Sequence, residues 1–276
     1  MNEAKTIVIT GASDGIGAAA ARRLHQNGHH VVVVGRSPRK TEAVAGEIGA
    51  DRHVADFTRL DDVRKLAAEL NAAYPRIDVL ANNAGGVFGD PTKTVDGFEK
   101  TFQINHLAPF LLTRLLMDKL TASRATVLQT SSVGARLAGK LDLDDLDHDR
   151  KFDARRAYAA TKLENILFTK ELHRRYHDQG VSTAAFHPGN TASNFANETE
   201  DRLMRFIVTN RVTRAVLLST PEKGAGELAW LAEGRPGVDW ESGTYYEKRK
   251  PKRGNPQAED ADLARRLWDR SEALLG

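Results

Sequence analysis

Residues 5–17 read KTIVITGASDGIG. The first half is a β-branched apolar run, and the second sets Gly11, Gly15 and Gly17 ahead of a helical pattern over 18–27. A backbone that turns sharply at Gly11 and enters a helix at Gly17 can lie close against a pyrophosphate, because no side chain blocks the turn, the approach or the helix–strand contact. The helix start then offers free N–H groups and the positive end of its dipole. A strand–helix turn that merely contains glycines is the bland alternative; the position after a first strand and before a helix is what favours a phosphate loop.

Working outward, short apolar runs at 5–10, 30–34 (HVVVV), 77–81, 125–130 and 182–187 alternate with helical patterns at 15–27, 38–49, 60–74, 96–119 and 155–178. Continuous apolar runs suit parallel strands buried on both faces. In the pattern at 60–74, Val63, Leu66, Ala67 and Leu70 line one helical face, and the helix should stop before Pro75. The expectation is an α/β fold: a single-domain, Rossmann-like, doubly wound parallel sheet with helices on both faces, spanning 1–276 without linker or repeat. Two segments break the rhythm. Residues 137–153 form an acidic insertion, and 189–220 follow a Pro-Gly and are expected to cover the substrate, offering Phe195, Leu203, Met204, Phe206, Ile207 and Val208 to an apolar pocket or to the core. Residues 257–274 read as a C-terminal helix packing through Ala261, Leu263, Ala264, Leu267, Trp268 and Leu274.

Composition narrows the classes. With 276 residues, 40 Lys+Arg against 37 Asp+Glu and a net charge of +3, the chain is long enough for a large core and too balanced for a whole-surface polyanion binder. It has no Cys, which removes disulfides, thiol nucleophiles and Cys-ligated zinc. No apolar run approaches the roughly 18 residues of a membrane span, and MNEAKTIVIT is too short in apolar residues for a signal peptide, so a cytoplasmic location is the default.

An NAD site usually places Asp or Glu on the ribose 2′-hydroxyl about twenty residues past the last loop glycine. Here the second strand ends Val34-Gly35-Arg36-Ser37. Arg36 suits a 2′-phosphate and Ser37 adds a hydroxyl, so NADP(H) is expected over NAD(H); an ordinary surface Arg is the alternative. Asp56, at the end of the third strand, is read either as an acceptor for the adenine amino group or as the N-cap of the helix from 60. Tyr158 and Lys162 (YAATK) lie at i, i+4 on one helical face. A phenol near pKa ~10 exchanges protons poorly at neutral pH, and a neighbouring ammonium favours the phenolate. Alone such a pair is usually a surface accident. Asn82-Asn83-Ala84-Gly85, Asn105, Ser131-Ser132 and His187-Pro188-Gly189 stand at other strand ends or on adjacent helices, the edge where doubly wound folds bind ligands.

Taken together, TGxxxGIG, NNAG, the helix Asn, SSVG, YAATK and HPG resemble, in order and distance over residues 6–193, the short-chain dehydrogenase/reductase family. INHLAPFLLTRLL (104–116), AYAATKLENILFTKEL (157–172), GTYYEKRKP (from 243) with ARRLWDRSEALL (to 275), and the acidic DLDDL stretch are similar to its retinol-dehydrogenase-like branch. The resemblance implies an NADP(H)-dependent oxidoreductase interconverting a carbonyl, ketone or aldehyde, and an alcohol by hydride transfer. Tyr158 would donate the proton, Lys162 would lower its pKa and hold the ribose hydroxyls, Ser132 would bind the substrate oxygen, and Asn105 would hold a water linking Lys162 to solvent. Gly11, Ser13, Gly15, Ile16, Gly17, Arg36, Ser37, Asp56, Asn83, Ala84, Gly85, Tyr158, Lys162, Pro188, Gly189, Thr191 and Ser193 would line the cofactor. The insertion leaves the choice between Ser131 and Ser132 open.

A non-catalytic dinucleotide-binding redox sensor is the second functional class; keeping Tyr, Lys and Ser together argues for the enzyme. Other features take bland readings. The run Lys248-Arg249-Lys250-Pro251-Lys252-Arg253 lacks the aromatic platform of a nucleic-acid binder. Asp142, Asp144, Asp145, Asp147 and Asp149 lack a calcium loop's Gly and Glu, and His29-His30 and His173/His177 lack a third ligand, so no metal is expected. Leu111, Leu112, Leu115 and Leu116 form a stripe that suits either the core or a homo-oligomer interface.

Overall fold

The structure is a computed structural model, described here for residues 3–189 and 220–276. Eight strands form one sheet in the order β3-β2-β1-β4-β5-β6-β7-β8. They are β1 (Thr6–Thr10), β2 (His30–Gly35), β3 (Asp51–Val54), β4 (Val79–Asn82), β5 (Thr126–Thr130), β6 (Ser182–His187), β7 (Thr244–Glu247) and β8 (Lys250–Lys252). All neighbours run parallel except β7 and β8. The expected doubly wound α/β architecture is therefore present, and it follows from the strands' residues. Ile7 and Ile9 of β1, with Val31 and Val33 of β2, face one layer; Val8, Val32 and Val34 face the other. Both faces are dry, as parallel sheets require.

One layer holds α1 (Gly15–Gln26) and α2 (Pro38–Ile48), and the other holds α3 (Leu60–Ala73). Helix α3 buries Val63, Leu66, Ala67 and Leu70 and stops ahead of Pro75 as expected. Ser37 caps α2, its hydroxyl accepting from Lys40 N at 3.4 Å, with Pro38 at the first helical turn.

The segment 96–119 is not one helix. Gly97 sits at φ +87° in a tight turn, Thr94 N bonds Phe98 O at 2.8 Å, and Lys93 bridges Glu99, so helix formation waits until α4 (Lys100–Phe102). The Glu99 carboxylate caps α4 by accepting from Thr101 N and Phe102 N at 2.7 Å each. The chain then widens into a π-turn, Gln103–Leu107, closed by Ala108 N–H to Gln103 O, before α5 (Ala108–Leu115) and α6 (Met117–Ala122). Leu111, Leu112 and Leu116 belong to the core, whereas Leu115 is 39% exposed.

Helix α7 (Ala154–Tyr176) lies on the sheet with Asp153 as N-cap. Its outer side is covered by the 137–153 insertion through Leu141 and Leu146, and by the C-terminal helix. The sequence reading missed α8 (Pro221–Glu233) and the last two strands. Gly224 and Gly226 weaken the helical signal of α8, yet its Ala225, Leu228 and Ala229 pack with the alanines of α1. The C-terminal helix α9 runs Ala261–Leu275, after a separate turn at Pro256–Glu259, so it starts later than 257 and leaves Ala261 exposed; Leu263, Ala264, Leu267 and Trp268 are buried. Among the described residues no helix is long and apolar enough to cross a membrane, and no group of three or more His, Asp or Glu is arranged to hold a metal ion.

Candidate active site

The glycine loop sits at the C-terminal end of β1. Gly11 adopts φ +66°, and a Cβ at Gly17 would fall against Gly11 O and within 2.7 Å of Asn83 Nδ2 and 2.9 Å of Ala12 Cα. Backbone is pressed on backbone there, so the loop is the side-chain-free cradle that a dinucleotide pyrophosphate needs. The cradle is braced from β4. Thr10 Oγ1 accepts from Asn83 N and Ala84 N at 3.0 Å each, and Asn83 Nδ2 donates to Thr10 O at 3.0 Å. The Asn83 amide oxygen accepts from Thr130 Oγ1 at 3.3 Å. Asn83 thus spends both its side chain and its backbone N–H on tying the loop to β4 and β5. Ser13 packs against Gly35, where a Cβ would come within 2.6 Å of the Ser13 Cβ; Ile16 is half-buried on the first turn of α1.

Arg36 and Ser37 follow β2 beside this loop. Arg36 is exposed, and Ser37 is engaged as the α2 cap. Asp56 is not the cap of α3: its carboxylate accepts from Thr58 N at 3.0 Å in a local turn, while Asp96 Oδ2 accepts from Leu60 N at 2.8 Å. Thirty-six residues separate Leu60 from Asp96, a pairing that local sequence does not reveal.

The other groups converge beyond β5. Ser131 is buried; its hydroxyl donates to Lys162 O at 2.7 Å and its N–H to Phe186 O at 2.8 Å. Ser132 caps the turn Val133–Leu137, accepting from Gly134 N at 3.0 Å, and hydrogen-bonds Tyr158. The geometry therefore distinguishes the two serines: Ser132 faces the phenol and Ser131 fastens the helix. Lys162 Nζ donates to Thr130 O at 3.0 Å and lies 5.4 Å from the Tyr158 ring centroid. Burial pulls Lys162 down to about 8. Burial likewise pushes the Tyr158 phenol above its ordinary value, opposed by the Ser132 hydrogen bond. The lowering of Tyr158 expected from Lys162 is thus absent in the protein alone, because desolvation outweighs other effects on the phenol.

Asn105 is in the π-turn and buried. Its Oδ1 accepts from Gly86 N at 2.9 Å, and its Nδ2 donates to Gly86 O at 2.9 Å and Thr161 Oγ1 at 3.1 Å. Both amide donors are used, so one lone pair of Oδ1 is what the side chain has left for a water. Gly85 makes room for it: a Cβ there would come within 2.7 Å of Asn105 Oδ1. Pro188 and Gly189 follow β6 at the same edge of the sheet, Gly189 with φ +90°. Thr191 and Ser193, and the apolar side chains from Phe195 to Val208, lie outside the described residues.

With this geometry in place, comparison with known proteins is decisive. The pattern described as short chain dehydrogenase matches residues 5–203. The chain belongs to the short-chain dehydrogenase family. Across 280 residues it is 41% identical to a Streptomyces sp. (strain C5) protein provisionally named daunorubicin C-13 ketoreductase DnrU, covering 99% of this chain and 93% of that one. It is 38% identical to human retinol dehydrogenase 13 over 282 residues, covering 99% and 85%. A crystal structure of an uncharacterised protein from Mycobacterium paratuberculosis superposes with a TM-score of 0.77 at 31% identity, covering 98% of this chain and 92% of that one.

The chain is accordingly a nicotinamide-dinucleotide oxidoreductase of the short-chain dehydrogenase family, acting on alcohol and carbonyl groups. Sequence reasoning missed several supporting residues of this site: Thr10, Thr161, Asn165 and Tyr245. Asn165 Nδ2 shares the Thr130 carbonyl with Lys162, at 3.2 Å, and lies three residues on in the same helix, a spacing that marks it as a neighbour. Tyr245, on β7, interacts electrostatically with Tyr158 across a strand the sequence reading had not recognised.

Proposed function

We propose that this short-chain dehydrogenase is an NADPH-dependent carbonyl reductase for hydrophobic ketones or aldehydes. The observation that carries the reaction is the grouping of half-buried Ser132 and Tyr158 with buried Lys162 in one corner beside the glycine cradle. The cofactor supplies the hydride when bound. Tyr158, kept protonated at neutral pH by its burial, is in the form that donates a proton to a carbonyl oxygen. The Ser132 hydroxyl stabilises charge growing on that oxygen. Lys162, whose pKa near 8 leaves it mostly charged at pH 7, replenishes the proton and binds ribose hydroxyls.

The NADPH preference is supported by the end of β2, where Arg36 replaces the carboxylate an NAD site uses and α2 opens with Pro38-Arg39-Lys40. The ratio of kcat/KM for NADPH over NADH tests it: Arg36→Ala should cut that ratio at least tenfold through NADPH alone, and an unchanged ratio refutes the assignment. The hydrophobic substrate is supported by the names of two relatives, a provisionally named daunorubicin C-13 ketoreductase and a retinol dehydrogenase. NADPH consumption across a panel of apolar and polar carbonyls decides between reductase and sensor: silence across the panel, with tight NADPH binding, selects the sensor. Tyr158→Phe should abolish turnover and keep NADPH binding.

A further inference from the structure

The π-turn that carries Asn105 also carries His106, which points the other way into the core. His106 is 1% exposed, stacked on Phe102 at 5.6 Å between ring centroids and packed against Phe110 and Phe168. Facing it from α7 is Glu164, fully buried, two residues beyond Lys162. His106 Nδ1, both Glu164 carboxyl oxygens and Asn165 Oδ1, which also faces His106, have no partner within hydrogen-bond distance, and Nδ1 lies 4.0 Å from Oε2. Buried polar atoms left unpaired cost enough that each needs a reason.

The proton inventory supplies one. Ser271 of α9 donates its single hydroxyl proton to Leu267 O at 2.8 Å. Its oxygen therefore accepts from His106 Nε2–H, 2.9 Å away. A neutral His106 in that tautomer presents a bare lone pair at Nδ1. Burial keeps it neutral, holding its pKa down to about 3. Glu164 is held far above the ordinary carboxylate range by burial and then by Glu99 and Asp147, the acidic groups of the α4 cap and the insertion. It therefore carries a proton and needs an acceptor.

We propose that Glu164 is a neutral carboxylic acid donating its proton to His106 Nδ1, and that this buried acid–imidazole pair is a positioning device that holds the π-turn and α7 in the register that sets Asn105 beside Lys162. The 4.0 Å gap exceeds a direct hydrogen bond, so the pairing requires the two side chains to draw together by roughly 1 Å. The pair bolts the rear of the two segments whose front faces carry Asn105 and Lys162, and Ser271 extends the chain to α9. Asn165, which interacts with His106 and shares the Thr130 carbonyl with Lys162, links rear to front. The proposal rests on the carbonyl-reductase reading, since Asn105 and Lys162 matter through that chemistry.

Three variants and one spectrum test it. Glu164→Gln keeps a neutral donor of the same shape and should retain kcat within about twofold. Glu164→Met removes the donor and should lower kcat on the order of tenfold and move the alkaline limb of the kcat profile, with NADPH affinity little changed. In 15N spectra of histidine-labelled protein, without substrate, His106 should remain the neutral Nε2–H tautomer from pH 5 to 8 in wild type and Glu164→Gln. Ser271→Ala should change that His106 signal. Equal loss in the Gln and Met variants, a wild-type pH profile in Glu164→Met, or a His106 that titrates near pH 6 overturns the proposal. Should Glu164→Met not fold, the Gln variant and the spectra decide. A wild type that consumes no NADPH with any carbonyl would instead refute the reductase reading, and the histidine spectra would still report on the pair.

Discussion

Exchanging Ser131 and Ser132 one at a time for alanine should separate stability from catalysis. Ser131→Ala deletes a buried 2.7 Å hydrogen bond to Lys162 O. Such a bond is worth about 1 kcal/mol net, so Tm should fall by roughly 2 °C in a chain of this size. Its hydroxyl proton is committed to the helix and its side chain is buried, so kcat should stay within about threefold. Ser132→Ala loses the turn cap to Gly134 N, a cost of about 0.5–1 kcal/mol. It also removes the donor beside Tyr158, and loss of one such donor lowers kcat by about 10²–10³, or roughly 2.7–4 kcal/mol of barrier. The assay pairs steady-state NADPH oxidation at saturating carbonyl with thermal melts, plus NADPH fluorescence titration to show that cofactor binding survives. If Ser131→Ala loses turnover by 10² at intact NADPH affinity while Ser132→Ala turns over normally, the assignment of the two serines is wrong.

Three further outcomes follow from the same geometry. Gly17→Ala would drive a methyl into Gly11, Asn83 and Ala12; overpacking of this kind costs typically about 1–3 kcal/mol, so urea midpoint and NADPH affinity should fall together, and loss of neither refutes the cradle. Asp96→Ala removes the acceptor from Leu60 N and should destabilise by about 1–2 kcal/mol, while kcat/KM stays near wild type; unfolding that is unaffected would show α3 is capped otherwise. Lys162, lowered from 10.5 to about 8 in the folded chain, binds fewer protons there than when unfolded at pH 8–10. Stability of the cofactor-free protein should therefore rise with pH across that window, by about 2–3 kcal/mol, and Lys162→Met should flatten the rise; identical slopes in the two proteins refute a strongly lowered Lys162.

The parallel core was legible because burial on both faces writes continuous apolar runs, as in HVVVV of β2, and a helix that ends before Pro75 announces its own limit. The glycine cradle was legible for the same kind of reason: close approach forbids side chains, so absence of side chains is itself the signal. What escaped was decided by partners distant in sequence. The broken 96–119 segment has helical periodicity, but Gly97 and the Lys93–Glu99 bridge hold its first turn open, and the π-turn leaves no compositional mark. Asp56 lost the cap of α3 to Asp96 because the loop after β4 folds back on the helix start. Ser131 and Ser132 are adjacent and chemically identical; only the pleat of β5 and the placement of α7 assign one to Lys162 O and the other to Tyr158.

Burial of α7 also fixes which group exchanges protons with solvent. The insertion, through Leu141 and Leu146, and α9, through Leu263 and Leu267, cover its outer side, so Tyr158 and Lys162 sit in a helix dry along most of its length. Desolvation disfavours charge on both, which moves their pKa values in opposite directions: the phenol up, the amine down to about 8. The phenol then holds its proton throughout the physiological range, and of the two groups Lys162 titrates nearer to neutrality. On the reductase reading, proton supply would run from Lys162 toward Tyr158, the order reduction requires. Carbonyl reduction should show a kcat/KM that falls above an apparent pKa near 8, as the free protein loses the Lys162 proton. The oxidative direction should instead gain as pH rises. A reductive kcat/KM that stays flat from pH 7 to 9.5, with stability unchanged over that range, would mean that solvent or bound ligand, rather than packing, sets the charge of Lys162.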